Sequence, residues 1–100
     1  MKVLSRVPEC REYFFDEGCF ILELSNTADD PDVSIARARV EPGVTTKLHR
    51  LTQTTERYVI LQGEGSVEID GQAAMAVTRG DVIRIPPGAS QRISNTVAMI

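Results

Sequence analysis

Three polar side chains that could form a chemical site stand in two separate blocks of the sequence. The first block runs from Gly43 to Gly63 and contains His49 and Glu56; the second runs from Gly80 to Asn95 and contains Gln91. An imidazole, a carboxylate and an amide can coordinate a metal ion, hold a small molecule or take part in proton transfer. Because these residues are far apart in sequence, they form one site only if the fold brings the two blocks together.

The segments that carry these residues have the pattern of short β-strands. Short apolar runs are broken by turn residues, and no helical periodicity is present. The dipeptide Asp70–Gly71 predicts a two-residue hairpin, because both residues tolerate positive φ angles. The predicted strands are 12–15, 19–24, 33–41, 44–51, 56–62, 66–70, 72–77, 82–85 and 91–99. This pattern predicts an all-β sandwich or barrel.

Length and composition limit the classes of protein to consider. The chain has 100 residues and a net charge of −3. We expect one domain over 1–100, with an N-terminal hairpin and acidic loop at 1–32 and a barrel core at 33–100. The absence of a basic run argues against nucleic-acid binding, and no apolar stretch reaches the roughly 18 residues of a membrane helix. Without an apolar signal-peptide core at the N-terminus, we expect a cytoplasmic protein with both cysteines, Cys10 and Cys19, as free thiols.

The two blocks resemble the two sequence motifs of the cupin family. Each has glycine and proline at its turns and polar residues at the motif's spacing. The matching positions are Gly43, His49, Leu51, Glu56 and Gly63 in the first motif and Gly80, Pro86, Gly88, Gln91 and Asn95 in the second. The resemblance implies a small antiparallel double-stranded β-helix, the jelly-roll barrel of cupins, with the site in its interior. It also implies a homodimer that associates through outer strands.

The chain departs from the family at positions that commonly bind metal. Cupins commonly hold a divalent ion with two histidines and a glutamate from the first motif and a histidine from the second. Leu51 and Gln91 stand where two of those histidines would be. The resemblance therefore implies at most a site of His49, Glu56 and Gln91, with Zn, Fe, Mn or Ni as the candidate ions.

Three functions follow as hypotheses. Alternation along the strands predicts that Lys47, Leu51 and Tyr58 line the interior together with His49, Glu56 and Gln91. The first hypothesis is an interior that binds a small molecule without the usual metal cage. The second is a metal-dependent enzyme, similar to dioxygenases or sugar isomerases, that uses His49 and Glu56. The third is a structural or regulatory dimer whose barrel is plugged, and whether the protein is an enzyme stays open.

Two further groups of residues carry expectations about the surface. Arg37 and Arg39 share one face of a predicted strand, and we expect that face to be in solvent. The aromatic residues of the first hairpin, such as Phe14 and Phe15, are expected to cover a partner subunit. The second expectation rests on the small size of the core that one hundred residues can build.

Overall fold

The computed structural model describes residues 4–96 and shows almost only β-strands. A single-turn 3₁₀ helix spans Glu9–Arg11. The strands are β1 Tyr13–Phe15, β2 Cys19–Ser25, β3 Ile35–Arg39, β4 His49–Arg50, β5 Glu56–Val59, β6 Glu64–Ile69, β7 Met75–Thr78, β8 Val82–Ile85 and β9 Ser90–Asn95. The all-β prediction is confirmed, while the end of the last predicted strand lies outside the described residues. Within those residues, no helix is long and apolar enough to cross a membrane.

The strands fall into two compact units, which meet in sequence between Arg39 and Val40. The N-terminal unit is an antiparallel sheet with the order β1-β2-β3. We expected a division after residue 32, but β3 follows that point and pairs with β2. The single-domain interpretation stays a prediction. Both cysteines of this unit are free, as predicted; Cys10 is exposed, and burial raises the pKa of the Cys19 thiol.

A cluster of four charged side chains ties the 3₁₀ helix and the residue after it to β3. Arg37 binds Glu9 and Glu12 at 2.6 and 2.8 Å, and Arg39 binds Glu12 at 2.6 Å. The Arg39 guanidinium also lies 4.3 Å from the centre of the Phe20 ring. We expected the two arginines to face solvent, but both form ion pairs with glutamates. Their glutamate partners lie at least 25 positions earlier in the chain, beyond the reach of a local pattern.

The C-terminal unit contains the apolar core. Its larger sheet has the order β4-β9-β6-β7, and β5 pairs with β8. The buried side chains of this core are Val67, Val77, Ile83, Ile85 and Ala89, against which Tyr58, Ile60, Ile69 and Ile93 pack. Alternate residues of β8 are buried and exposed, as expected for a strand with one face on a core.

The turn between β6 and β7 confirms the predicted hairpin. Asp70 and Gly71 have φ angles of 50° and 69°, and the Gln72 amide donates to the Ile69 carbonyl at 2.9 Å. Two successive positive φ angles identify a type I′ turn, which matches the twist of the strands it joins. The Asp70 carboxylate also accepts the Ser90 amide at 2.8 Å, so this turn is held to β9 as well.

The predicted strand 44–51 is interrupted by a bulge. Thr45 bridges Ser94, and His49 lies opposite Gln91. Three residues thus separate the two pairing points on one side and only two residues on the other. One extra residue is the signature of a β-bulge, which changes the face that later side chains occupy. Without it, Leu48 rather than His49 would lie opposite Gln91.

A small residue is required where β6 crosses close to β9. Gly65 is buried, and a Cβ atom added there would lie 2.7 Å from the backbone oxygen of Ser94. We predict that Gly65→Ala lowers the free energy of unfolding by about 1–3 kcal/mol, because the strands must separate to admit the methyl group. Urea denaturation measures this loss. Ser66→Ala, at the neighbouring half-buried position, is the control, and an equal loss in both variants would contradict the close-approach explanation.

The charged cluster predicts sensitivity to acid. Hydrogen bonds from Arg37 lower the pKa of Glu9, and those from Arg39 lower that of Glu12. Because the folded pKa lies below the unfolded one, the stabilisation is complete above the ordinary glutamate pKa and is lost as pH falls through the lowered value. We expect the melting temperature to decrease as the pH is lowered through this acidic range. The decrease should be smaller in the double variant Glu9→Gln, Glu12→Gln. Identical pH profiles would show that the cluster does not contribute.

Candidate functional site

Strand pairing places Gln91 at the centre of the candidate site. On β9, Gln91 lies opposite His49 of β4 on one side and opposite Ile69 of β6 on the other. Its side chain is fully buried, whereas His49 and Glu56 are half-buried. Gln91 thus occupies a central strand, where its polar atoms can be satisfied only by neighbouring side chains or by a bound molecule.

The Gln91 carboxamide joins His49 to Glu56. Its nitrogen, Nε2, lies 2.5 Å from His49 Nε2 and 3.1 Å from Glu56 Oε1. A carboxamide nitrogen carries two hydrogens and accepts none, so it donates one to each neighbour. The structure therefore brings together the three residues that the motif spacing had grouped. Their roles in binding a ligand stay predictions.

The hydrogen bonds of His49 define its tautomer. His49 Nδ1 lies 2.9 Å from the carbonyl oxygen of Lys47, which can only accept a hydrogen bond. Nδ1 must therefore carry the proton. Because Gln91 Nε2 can only donate, His49 Nε2 is the unprotonated nitrogen and accepts. The geometry matches a neutral imidazole that is held at both nitrogens.

One strong acceptor of the site has no partner. Gln91 Oε1 is buried and makes no hydrogen bond within the described part of the chain. Exchanging the amide oxygen and nitrogen would not help, because the oxygen would then face the Glu56 carboxylate, which also only accepts, and the buried nitrogen would have no acceptor for its two hydrogens. A buried acceptor without a donor costs about 1–3 kcal/mol. The site therefore favours a molecule that brings a hydrogen-bond donor to this oxygen.

The same geometry does not fit a cupin metal cage. The lone pair of His49 Nε2 is used by Gln91, and Nδ1 carries a proton, so neither ring nitrogen is available to a metal ion. Gln91 presents its nitrogen rather than its oxygen to the other two residues. Across residues 4–96, no group of three or more His, Cys, Asp or Glu side chains is placed to hold an ion. We assign no reaction step to a metal.

The remaining predicted ligand-binding residues lie at different depths. Tyr58 is half-buried and packs against the apolar core. Lys47 is exposed and contributes its backbone carbonyl, because the bulge turns its side chain away from the face that His49 occupies. Leu51 follows the end of β4 and is 42% exposed. The expectation that Lys47 and Leu51 share a buried wall with His49 therefore differs from the structure.

Two contacts that support the site were not predicted from the sequence. The buried hydroxyl of Thr46 accepts the Ile93 amide at 3.0 Å, which fixes the chain just before the bulge. The Lys47 carbonyl orients His49, and a backbone atom leaves no signal in the residue types. The Asp81 carboxylate accepts the Thr78 amide at 2.8 Å, which fixes the turn between β7 and β8.

Comparison with known proteins identifies the family. The model of the cupin domain family matches residues 36–99, so the chain belongs to the cupin family. An uncharacterized protein of Methanocaldococcus jannaschii is 33% identical over 98 residues, which cover 95% of this chain and 78% of that protein. The family resemblance read from the two motifs is thereby confirmed.

Solved structures show the same fold. A Thermotoga maritima protein described as a predicted oxalate decarboxylase has a TM-score of 0.81 and 25% identity, covering 94% of this chain and 88% of that chain. KdgF from a Halomonas species has a TM-score of 0.77 and 16% identity, covering 94% of this chain and 84% of that chain. At its level of identity, the second likeness shows the fold alone. The chain therefore has the all-β cupin fold predicted from its sequence.

The bridging role of Gln91 can be tested by substitution. We predict that Gln91→Glu lowers the free energy of unfolding by about 1–3 kcal/mol, because His49 Nε2 and Glu56 Oε1 both lose this donor while the unpartnered oxygen of residue 91 stays in place. Chemical denaturation measures the change. In the wild type, long-range ¹H–¹⁵N correlation at alkaline pH should show the His49 proton on Nδ1. A proton on Nε2, together with unchanged stability of Gln91→Glu, would contradict the hydrogen-bond network.

Proposed function

We propose that this protein binds a small molecule rich in hydrogen-bond donors at the cluster of His49, Gln91 and Glu56, without a metal cage. The observation that carries this proposal is the buried Gln91 oxygen, to which no group of residues 4–96 donates a hydrogen bond. A hydroxyl or an ammonium group of a ligand would supply the missing hydrogen. The half-burial of His49 and Glu56 supports access from one side of the cluster.

The charges of the cluster set the class of ligand. The imidazole is neutral in the tautomer that the contacts require, and the Gln91 amide is neutral, whereas the Glu56 carboxylate is negative. Carboxylates only accept hydrogen bonds when ionised, and they repel other anions. Polyols and primary amines are therefore the favoured ligands, and dicarboxylates are disfavoured.

Comparison with the Thermotoga maritima protein sharpens this choice. That protein is described as a predicted oxalate decarboxylase, and oxalate is a dianion. In this chain the equivalent chemistry would need cationic groups or a metal ion beside the cluster. Both ring nitrogens of His49 are engaged in hydrogen bonds that match the neutral imidazole, and Glu56 adds a negative charge. The geometry therefore supports polyols or primary amines as ligands rather than oxalate.

A metal-free ligand screen tests the proposal. Protein treated with a chelator is heated with polyols, primary amines and dicarboxylates that include oxalate. A polyol or amine at about 100 times its Kd should add about 2.7 kcal/mol to the stability. Glu56→Gln keeps an oxygen for the Gln91 amide but removes the charge, so it should weaken amines more than polyols.

The control variant is Arg50→Ser, which changes an exposed β4 residue next to His49 and should bind as the wild type does. Elemental analysis of protein purified without a metal-affinity tag accompanies the screen. Stabilisation by oxalate alone, seen in protein that retains a transition metal and lost after chelation, would replace this proposal with the metal-dependent enzyme. If none of the three classes stabilises the protein, the binding proposal is wrong, and the hypothesis of a structural or regulatory protein with a plugged barrel replaces it.

A further inference from the structure

A second surface of the C-terminal unit combines exposed apolar and cationic side chains. Alternation directs Glu56 and Tyr58 of β5 toward the interior and leaves their neighbours exposed, and β8 follows the same rule. The β5–β8 outer face is defined as the exposed side chains of these two strands together with Leu61, which follows β5 by two residues on the same alternation. They are Arg57, Val59, Leu61, Val82 and Arg84.

Two arginines lie directly opposite each other on this face. The register pairs Arg57 with Arg84, and neither forms an ion pair within residues 4–96. Like charges at directly opposed positions of an antiparallel pair are destabilising. The β6–β9 pair shows the ordinary arrangement, because there Glu68 lies opposite Arg92 and binds it at 2.6 Å.

Apolar side chains lie beside the arginine pair. Val59 lies opposite Val82, and the two are 57% and 62% exposed; Leu61 is 65% exposed. A groove of about 360 Å³ runs along β8, and its lining includes Met75, Asp81, Val82 and Arg84. The face thus offers two guanidinium groups next to an aliphatic strip. Guanidinium forks match carboxylates in shape and charge.

We infer that the β5–β8 outer face is a docking surface for a partner protein segment that presents carboxylates next to aliphatic side chains. Charge complementarity identifies this occupant, since the face contains two cations, and the one carboxylate that lines its groove, Asp81, already accepts the Thr78 amide. A second copy of this chain, using the same face, would bring four arginines together with only two Asp81 carboxylates, each already bound to a Thr78 amide. The face is therefore not self-complementary, as a two-fold symmetric interface must be.

Selection from a random peptide library displayed on phage tests this inference. The full chain is the bait, and the double variant Arg57→Ser, Arg84→Ser is the counter-selection. The enriched peptides should combine Asp or Glu with Val, Ile or Leu. They should bind the wild type about tenfold more tightly than the double variant, and more weakly as salt is raised.

Two further measurements help to decide between the outcomes. Arg50→Ser removes an exposed arginine from a different sheet and should leave peptide binding unchanged. Selected peptides without acidic residues, or equal binding to the double variant, would overturn the inference, and so would a selection that enriches nothing. A concentration-dependent dimer in sedimentation experiments that Val82→Lys disrupts would assign the face to self-association instead.

Discussion

The candidate site depends on one carboxamide that has to satisfy two acceptors from a single nitrogen. Gln91 Nε2 donates to His49 and Glu56, and this use of both hydrogens leaves the oxygen of the same group without a partner in the described chain. A histidine at this position, as in the usual cupin motif, presents one hydrogen or lone pair per ring nitrogen and cannot bridge in this way. The substitution therefore changes the site from a set of metal ligands into a hydrogen-bonded cluster that is short of donors.

The bulge before β4 determines that His49 belongs to this cluster. With Thr45 fixed opposite Ser94, one extra residue on the β4 side moves His49 into the position opposite Gln91. A shift of one residue exchanges the two faces of a strand. The same extra residue exposes Leu48, which is 60% accessible, and brings the Lys47 carbonyl to His49 Nδ1. The position and the tautomer of the imidazole thus have one common cause.

What could be predicted from the sequence follows from the range of each interaction. The Asp70–Gly71 turn was predictable because its φ angles are a local property, and the motif spacing was enough to bring Gln91 and Glu56 together. The bulge was not predictable, since it depends on where Thr46 and Ile93 exchange hydrogen bonds across strands. The ion pairs of Arg37 with its glutamate partners were not predictable for the same reason, because they join distant segments of the chain.

The outer face of β5 and β8 shows which exposed residues are informative. Exposed valines alone would mean little, because β-branched residues favour strands and scattered apolar side chains are common on protein surfaces. Arg57 opposite Arg84 is different, since the pairing is unfavourable in the isolated chain and changing one of the two residues would relieve it. The paired arrangement of Glu68 and Arg92 shows that the same fold accommodates opposite charges at facing positions. A negatively charged partner would convert the repulsion on β5 and β8 into attraction, which connects this local cost with a function.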